Sequence, residues 1–121
     1  MEKQTQDYVV RELDGVTVVR FTNKSLTATH DLDRIAHELN ELVATGTHRI
    51  VLDFKHVEYI SSAALGMMIS LHKRLDDLKG GLILSHPENI ADLLRVSRTD
   101  KFFRTAADPK VAVKIFSGQV P

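Results

Sequence analysis

Two runs rich in β-branched residues, DYVVREL and VTVVRFT, flank Asp14-Gly15. Asp-Gly suits a tight turn whose two central residues both take positive φ, so the runs predict an antiparallel hairpin. From Asp31 to Ala44 the apolar residues Leu32, Ile35, Ala36, Leu39, Leu42 and Val43 keep to one face of a helix. Thr29 or Asp31 is placed to cap it, Asp31 and Asp33 suit the positive end of its dipole, and Gly46 ends it. RIVLDF then alternates too little for a half-solvated strand and predicts one covered on both faces.

A second helix is expected from Ser61 or Ser62 to the Gly80-Gly81 pair. Ala64, Met68, Leu71, Leu75 and Leu78 form its stripe, widened by Leu65 and Ile69. LILS reads as the next buried strand. Ser85 and Glu88 have capping-box spacing before a short amphipathic helix carrying Ile90, Leu93 and Leu94. KFFRTA holds a last short strand, and Asp108-Pro109 opens a final helix through about Phe116. The order β-β-α-β-α-β-α-β-α predicts an α/β fold of about four helices. Its mixed β-sheet begins with the N-terminal antiparallel hairpin and continues through parallel βα units.

Composition narrows the function classes. At 121 residues, with no repeat or Pro/Gly-rich linker, the chain is expected to form one domain over 1–121. Sixteen basic and sixteen acidic residues cancel, so no overall field favours direct nucleic-acid binding. The absence of cysteine removes disulfide and thiolate chemistry. No apolar run is long enough for a membrane span and no signal core opens the chain, so a cytoplasmic location is expected.

Catalytic and cofactor motifs are missing. There is no Walker sequence and no GxGxxG, and none of the six histidines forms HExxH or an i,i+4 pair. No catalytic residue, metal ligand or cofactor is therefore assigned. Ser62 has neither flanking glycine of a nucleophile elbow, although Asp53 and His56 lie close in sequence. Met68 belongs to the helical stripe, whereas Met67 lies off it and is a candidate partner contact. Two adjacent serines, Ser61 and Ser62, stand where the second helix starts. A serine there caps the helix, and the same position suits a phosphoryl group, whose charge the helix dipole and free N–H groups favour. With Ser61 as cap, Ser62 falls in the first turn with its hydroxyl uncommitted.

The stretch VLDFKHVEYISSAALGMMISLHKRLDDLKGGLILSHP resembles the central segment of STAS domains, the family of bacterial anti-sigma factor antagonists. That pattern runs from a strand ending in Asp, through a short apolar connection, to a helix start of the form acid-Ser-Ser/Thr-Gly-Leu-Gly. A long helix, a Gly-Gly turn and another strand follow. The resemblance extends more loosely from the Asp14-Gly15 hairpin through VSRTDKFF, almost the whole chain. Alignment on Leu65-Gly66 puts Ser62 at the family's phosphoacceptor position and Ser61 where the acid usually stands. Ala63 replaces a Ser or Thr, and Ala64 replaces a glycine.

The resemblance implies a single STAS domain acting by partner switching. The unphosphorylated antagonist binds an anti-sigma factor that is itself a serine kinase of the GHKL type. Phosphorylation at Ser62 (or alternatively Ser61) breaks the complex, and a PP2C-type phosphatase restores it. Ser61, Ala63, Ala64, Gly66 and Met67 are the expected partner-binding residues. The protein would be a ligand and a substrate, not an enzyme. A second reading is an unphosphorylated interaction module in a larger signalling or transport assembly, with both serines serving only the helix start.

Overall fold

Asp14 and Gly15 take φ of 51° and 80°, and the residues on either side, Leu13 and Val16, face each other across the hairpin. The paired strands are Tyr8–Leu13 (β2) and Val16–Phe21 (β3), with the short Glu2–Gln4 (β1) antiparallel to β2 at the sheet edge. The computed structural model describes residues 2–118. After β3 come Ser25–Leu26 (β4), Thr29–Ala44 (α1), Arg49–Asp53 (β5), Tyr59–Ile60 (β6) and Ser62–Asp77 (α2). Gly81–Ser85 (β7), Ala91–Val96 (α3), Arg104–Ala106 (β8) and Pro109–Phe116 (α4) complete the order. The main sheet runs β1-β2-β3-β5-β7-β8, antiparallel through β3 and parallel from there on. β4 and β6 form a separate parallel pair of two residues each.

Both faces of the central strands are covered, which explains why RIVLDF and LILS lack polar alternation. Val19, Phe21, Ile50, Leu52, Leu82 and Leu84 point to one face and pack with Leu32, Ile35 and Leu39 of α1 and Met68, Leu71 and Leu75 of α2. Val18, Val51 and Ile83 point to the other face, against Ala112 and Val113 of α4. Phe54, just past β5, is fully buried against Phe21, with ring centroids 5.4 Å apart.

Polar bonds fix the hairpin to α1. Arg34 donates to both carboxylate oxygens of the buried Asp7, at 2.9 and 3.1 Å, and to Asp31 at 2.8 Å. The hydrogen bond to Asp7, then that to Asp31, raises the Arg34 pKa further. Tyr8 donates its hydroxyl to Glu38 at 2.7 Å. Burial, reinforced by Glu38, pushes the Tyr8 phenol well above its ordinary value.

Four expectations are corrected. Neither Thr29 nor Asp31 caps α1: both lie inside the helix, its N-cap is Ala28 with no side-chain bond, and Asp31 accepts from Arg34 instead. Ser85 closes no capping box: it ends β7, fully buried, and a 3₁₀ turn over Glu88–Ile90 leads into α3. Leu78 is exposed at the C-cap of α2 and leaves the stripe. The left-handed residue after it is Lys79 (φ 60°), whose N–H bonds Asp76 while that of Gly80 bonds Leu75, a Schellman closure without glycine at its usual place. Gly80 is required for another reason: a Cβ there would overlap the backbone carbonyl of His48. Asp108 caps α4 as expected, accepting from Val111 N–H at 2.9 Å.

Candidate functional site

The start of α2 is held from two sides. The Ser61 N–H donates to the Leu26 carbonyl at 3.0 Å, continuing the β4–β6 pairing into the cap residue. Ser61 is extended (φ −90°, ψ 170°), and its Oγ accepts from Ala64 N–H at 3.1 Å while its carbonyl accepts from Leu65 N–H at 3.0 Å. Ser61 is thus the N-cap, with its side chain on the third residue of the helix. Of the early helix donors, those of Ser62 and Ala63 make no hydrogen bond among the described residues.

Ser62 is the first helical residue. It is exposed, and its hydroxyl takes no part in the cap. No acidic residue lies in the first turn of α2, so the two free N–H groups and the positive end of the dipole are unopposed. This is an environment that favours an anionic group on Ser62 over a neutral one. Serine and aspartate are comparable N-caps. Ser61 therefore keeps the helix start that an acid would also support, and it removes a negative charge from beside Ser62.

The other candidate residues divide by burial. Ala63 and Gly66 are exposed and Met67 is half-buried; together with Ser70 they line a groove of about 280 Å³ between α1 and α2, floored by Leu32 and Ala36. Ala64 is different. Its side chain is fully buried in the core, so it supports the helix start from below and offers no side-chain surface to a partner. Asp53 and His56, near Ser62 in sequence, do not hydrogen-bond to it; Asp53 is buried and accepts from Lys55 N–H at 3.2 Å. No helix among the described residues is long and apolar enough to cross a membrane.

Geometry of this kind, a capped helix start carrying an exposed serine beside a mixed sheet, accompanies a match of residues 7–112 to the STAS domain family. The chain belongs to the STAS domain family. This STAS domain is 28% identical over 90 residues to "Putative anti-sigma factor antagonist BtrV" of Bordetella bronchiseptica, covering 74% of this chain and 78% of that protein. Its fold is similar to that of an anti-sigma factor antagonist from Mycobacterium paratuberculosis (TM-score 0.79, 19% identity, 91% of this chain and 92% of that one). It is also similar to the anti-sigma factor antagonist SpoIIAA in its unphosphorylated form (TM-score 0.74, 17% identity, 92% and 98% of the two chains). The phosphorylated form of Bacillus SpoIIAA matches with a TM-score of 0.69 at 15% identity, over 89% and 98%.

The sequence left two features of this STAS domain unread. β4 and β6 are too short for any periodicity, yet they pin Ser61. The second is an open cleft of about 470 Å³ beside the end of β3 and the loop after β5, lined by Arg20, Lys24, Lys55 and His56 among others. Its basic residues are scattered over the chain, and overall neutrality hides them.

Proposed function

We propose that this STAS domain is an anti-sigma factor antagonist that binds a partner serine kinase of the GHKL type and is released when that kinase phosphorylates Ser62. The observation that carries the reading is the exposed Ser62 hydroxyl at the first position of α2, uncommitted because Ser61 makes the cap. The likeness to BtrV and to both forms of SpoIIAA supports it. Exposed Ala63 and Gly66, with Met67 beside them, supply the adjoining contact surface. The switch is local: a phosphoryl group brings a charge of about −1.5 to −2 into that surface, where it meets desolvation cost and any acid the partner presents. A PP2C-type phosphatase resets the site. The domain needs no catalytic group of its own and works in the cytoplasm as substrate and ligand.

Intact-mass analysis of the protein from its native host tests the switch. The expected result is a phosphatase-sensitive form that persists in Ser61→Ala and disappears in Ser62→Ala, with Ser62→Glu losing the partner. If no phosphoform appears under any growth condition and Ser62→Glu binds as the wild type does, the proposal fails. The domain is then an unmodified interaction module.

A further inference from the structure

The loop that leads into the start of α2 also borders a basic concavity. Arg20 of β3, Lys24 of the loop after it, and Lys55 and His56 of the loop after β5 line an open cleft of about 470 Å³, with Glu58 as the single acid among its lining residues. Among the lining residues Arg20, Lys24 and Lys55 face the one carboxylate of Glu58, on a chain whose formal charge is zero; Asp53, beside Arg20 in the sheet register, is buried and does not line the cleft. The Nε of Arg20 is buried and has no hydrogen-bond partner among the described residues.

The frame of the cleft is fixed. Both Glu58 and Tyr59 donate their N–H groups to the Lys24 carbonyl, at 2.7 and 3.2 Å, and Asn89 donates its side-chain amide to the Val57 carbonyl at 3.1 Å. The same loop runs on through β6 to the helix start. Ser62 follows Glu58 by four positions, a span of at most about 14 Å. Between them stands Tyr59, 67% exposed, more than any phenylalanine or other tyrosine among the described residues. A bare tyrosine between a basic cleft and a contact site has the composition of a protein-binding surface, in which aromatic and arginine residues anchor the partner.

We infer that the cleft formed by Arg20, Lys24, Lys55 and His56 receives an acidic segment of the protein partner, with Tyr59 as the aromatic anchor joining that segment to the Ser62 contact. The inference rests on the reading of the Ser62 surface as partner-binding. It adds the partner's chemistry: carboxylates within a few residues of the region that meets α2. It also gives phosphorylation a second effect. A dianion on Ser62 would repel that acidic segment as well as disturb its own contact.

The test is a titration of the ¹⁵N-labelled full chain with a hexaglutamate peptide, followed by amide chemical shifts, with inorganic phosphate and hexalysine as comparison probes. Hexaglutamate is expected to shift the amides of Thr22, Lys24, Lys55, His56 and Tyr59, with an affinity that falls as salt is raised. The double variant Lys24→Glu/Lys55→Glu should weaken binding by about tenfold or more. Lys110→Glu/Lys114→Glu, on α4, should leave it unchanged. Both pairs are exposed, and a dispersed spectrum verifies that each variant is folded. Shifts spread over the whole surface, equal loss in the α4 variant, or phosphate binding as tightly as hexaglutamate would each overturn the inference. Ser62→Glu separates the two readings. Weaker hexaglutamate binding in that variant supports the electrostatic coupling, whereas unchanged binding rejects the coupling and leaves the Ser62 switch to its own test by mass analysis.

Discussion

Replacing each of the two serines by alanine should produce different effects on stability. Ser61→Ala removes the 3.1 Å bond from Ala64 N–H and leaves that donor without a partner at a partly buried helix start. Loss of a serine N-cap costs about 1 kcal/mol, within a range of roughly 0.5–2. For a chain of 121 residues this corresponds to a melting point lower by about 4 °C. Ser62→Ala deletes an exposed hydroxyl outside the cap and installs the best helix former at the first helical position. It should be neutral or stabilise by up to about 0.5 kcal/mol. Ser62→Asp should stabilise by about 0.3–1 kcal/mol at low salt, since a negative charge is placed on the unopposed end of the dipole. Ser61→Asp should change little, because one good cap replaces another. Urea titration of the four variants, with unchanged slopes, reads all of these directly. Equal destabilisation by Ser61→Ala and Ser62→Ala, or a loss of stability in Ser62→Asp at low salt, would refute the assignment of cap and free hydroxyl.

Other parts of the structure make equally definite demands. Gly80→Ala should destabilise by at least about 2 kcal/mol in urea titration, since the added carbon meets the His48 carbonyl and not a yielding side chain; Lys79→Gly, at the left-handed position, should be tolerated. Phe54→Ala should cost about 3–5 kcal/mol by the same assay, because a fully buried ring packed on Phe21 is lost. Ser85→Ala should be neutral or slightly stabilising, as its buried Oγ has no partner among the described residues, whereas a true capping-box serine would lose about 1 kcal/mol. Tyr8 sets an alkaline limit: its raised phenol holds its proton more tightly folded than unfolded, so its contribution is complete below pH 10.0 and declines as pH rises above it. Urea midpoints measured from about pH 9 to about pH 11 should fall more steeply in the wild type than in Tyr8→Phe, and parallel slopes would reject the effect.

Elements whose cause is local were legible in the sequence. The hairpin followed from Asp14-Gly15, whose two positive φ angles are the turn's own requirement. Helix α4 followed from Asp108-Pro109, where cap and first-turn proline act within three residues. The double-sided burial of β5 and β7 followed from their unbroken apolar runs. What could not be read depends on contacts distant in sequence. β1 is entirely polar and exposed, and is held by main-chain pairing to β2 alone. Asp31 looked like a cap but is bonded by Arg34, which also holds Asp7 from across the fold. Gly80 looked like a helix stop and is instead a point of close approach to His48. At the site itself, the serine pair and Ser61 as its cap were legible from their position before a helical stripe, whereas the bond from the Ser61 N–H to the Leu26 carbonyl, which holds that cap, was not.

That bond has a consequence for how information can be written on the molecule. Ser61 joins α2 to β4 through its main chain and to Ala64 through its side chain, while Ala64 and Leu65 plug the helix into the core. Ser62 shares none of these atoms. The residue can be altered by mutation, or by a covalent mark, without any structural bond being broken and remade. Under the proposed switch, the domain keeps its architecture and its message in neighbouring but separate residues: one position changes with a cell's circuitry, while the next is held to the slow constraints of folding.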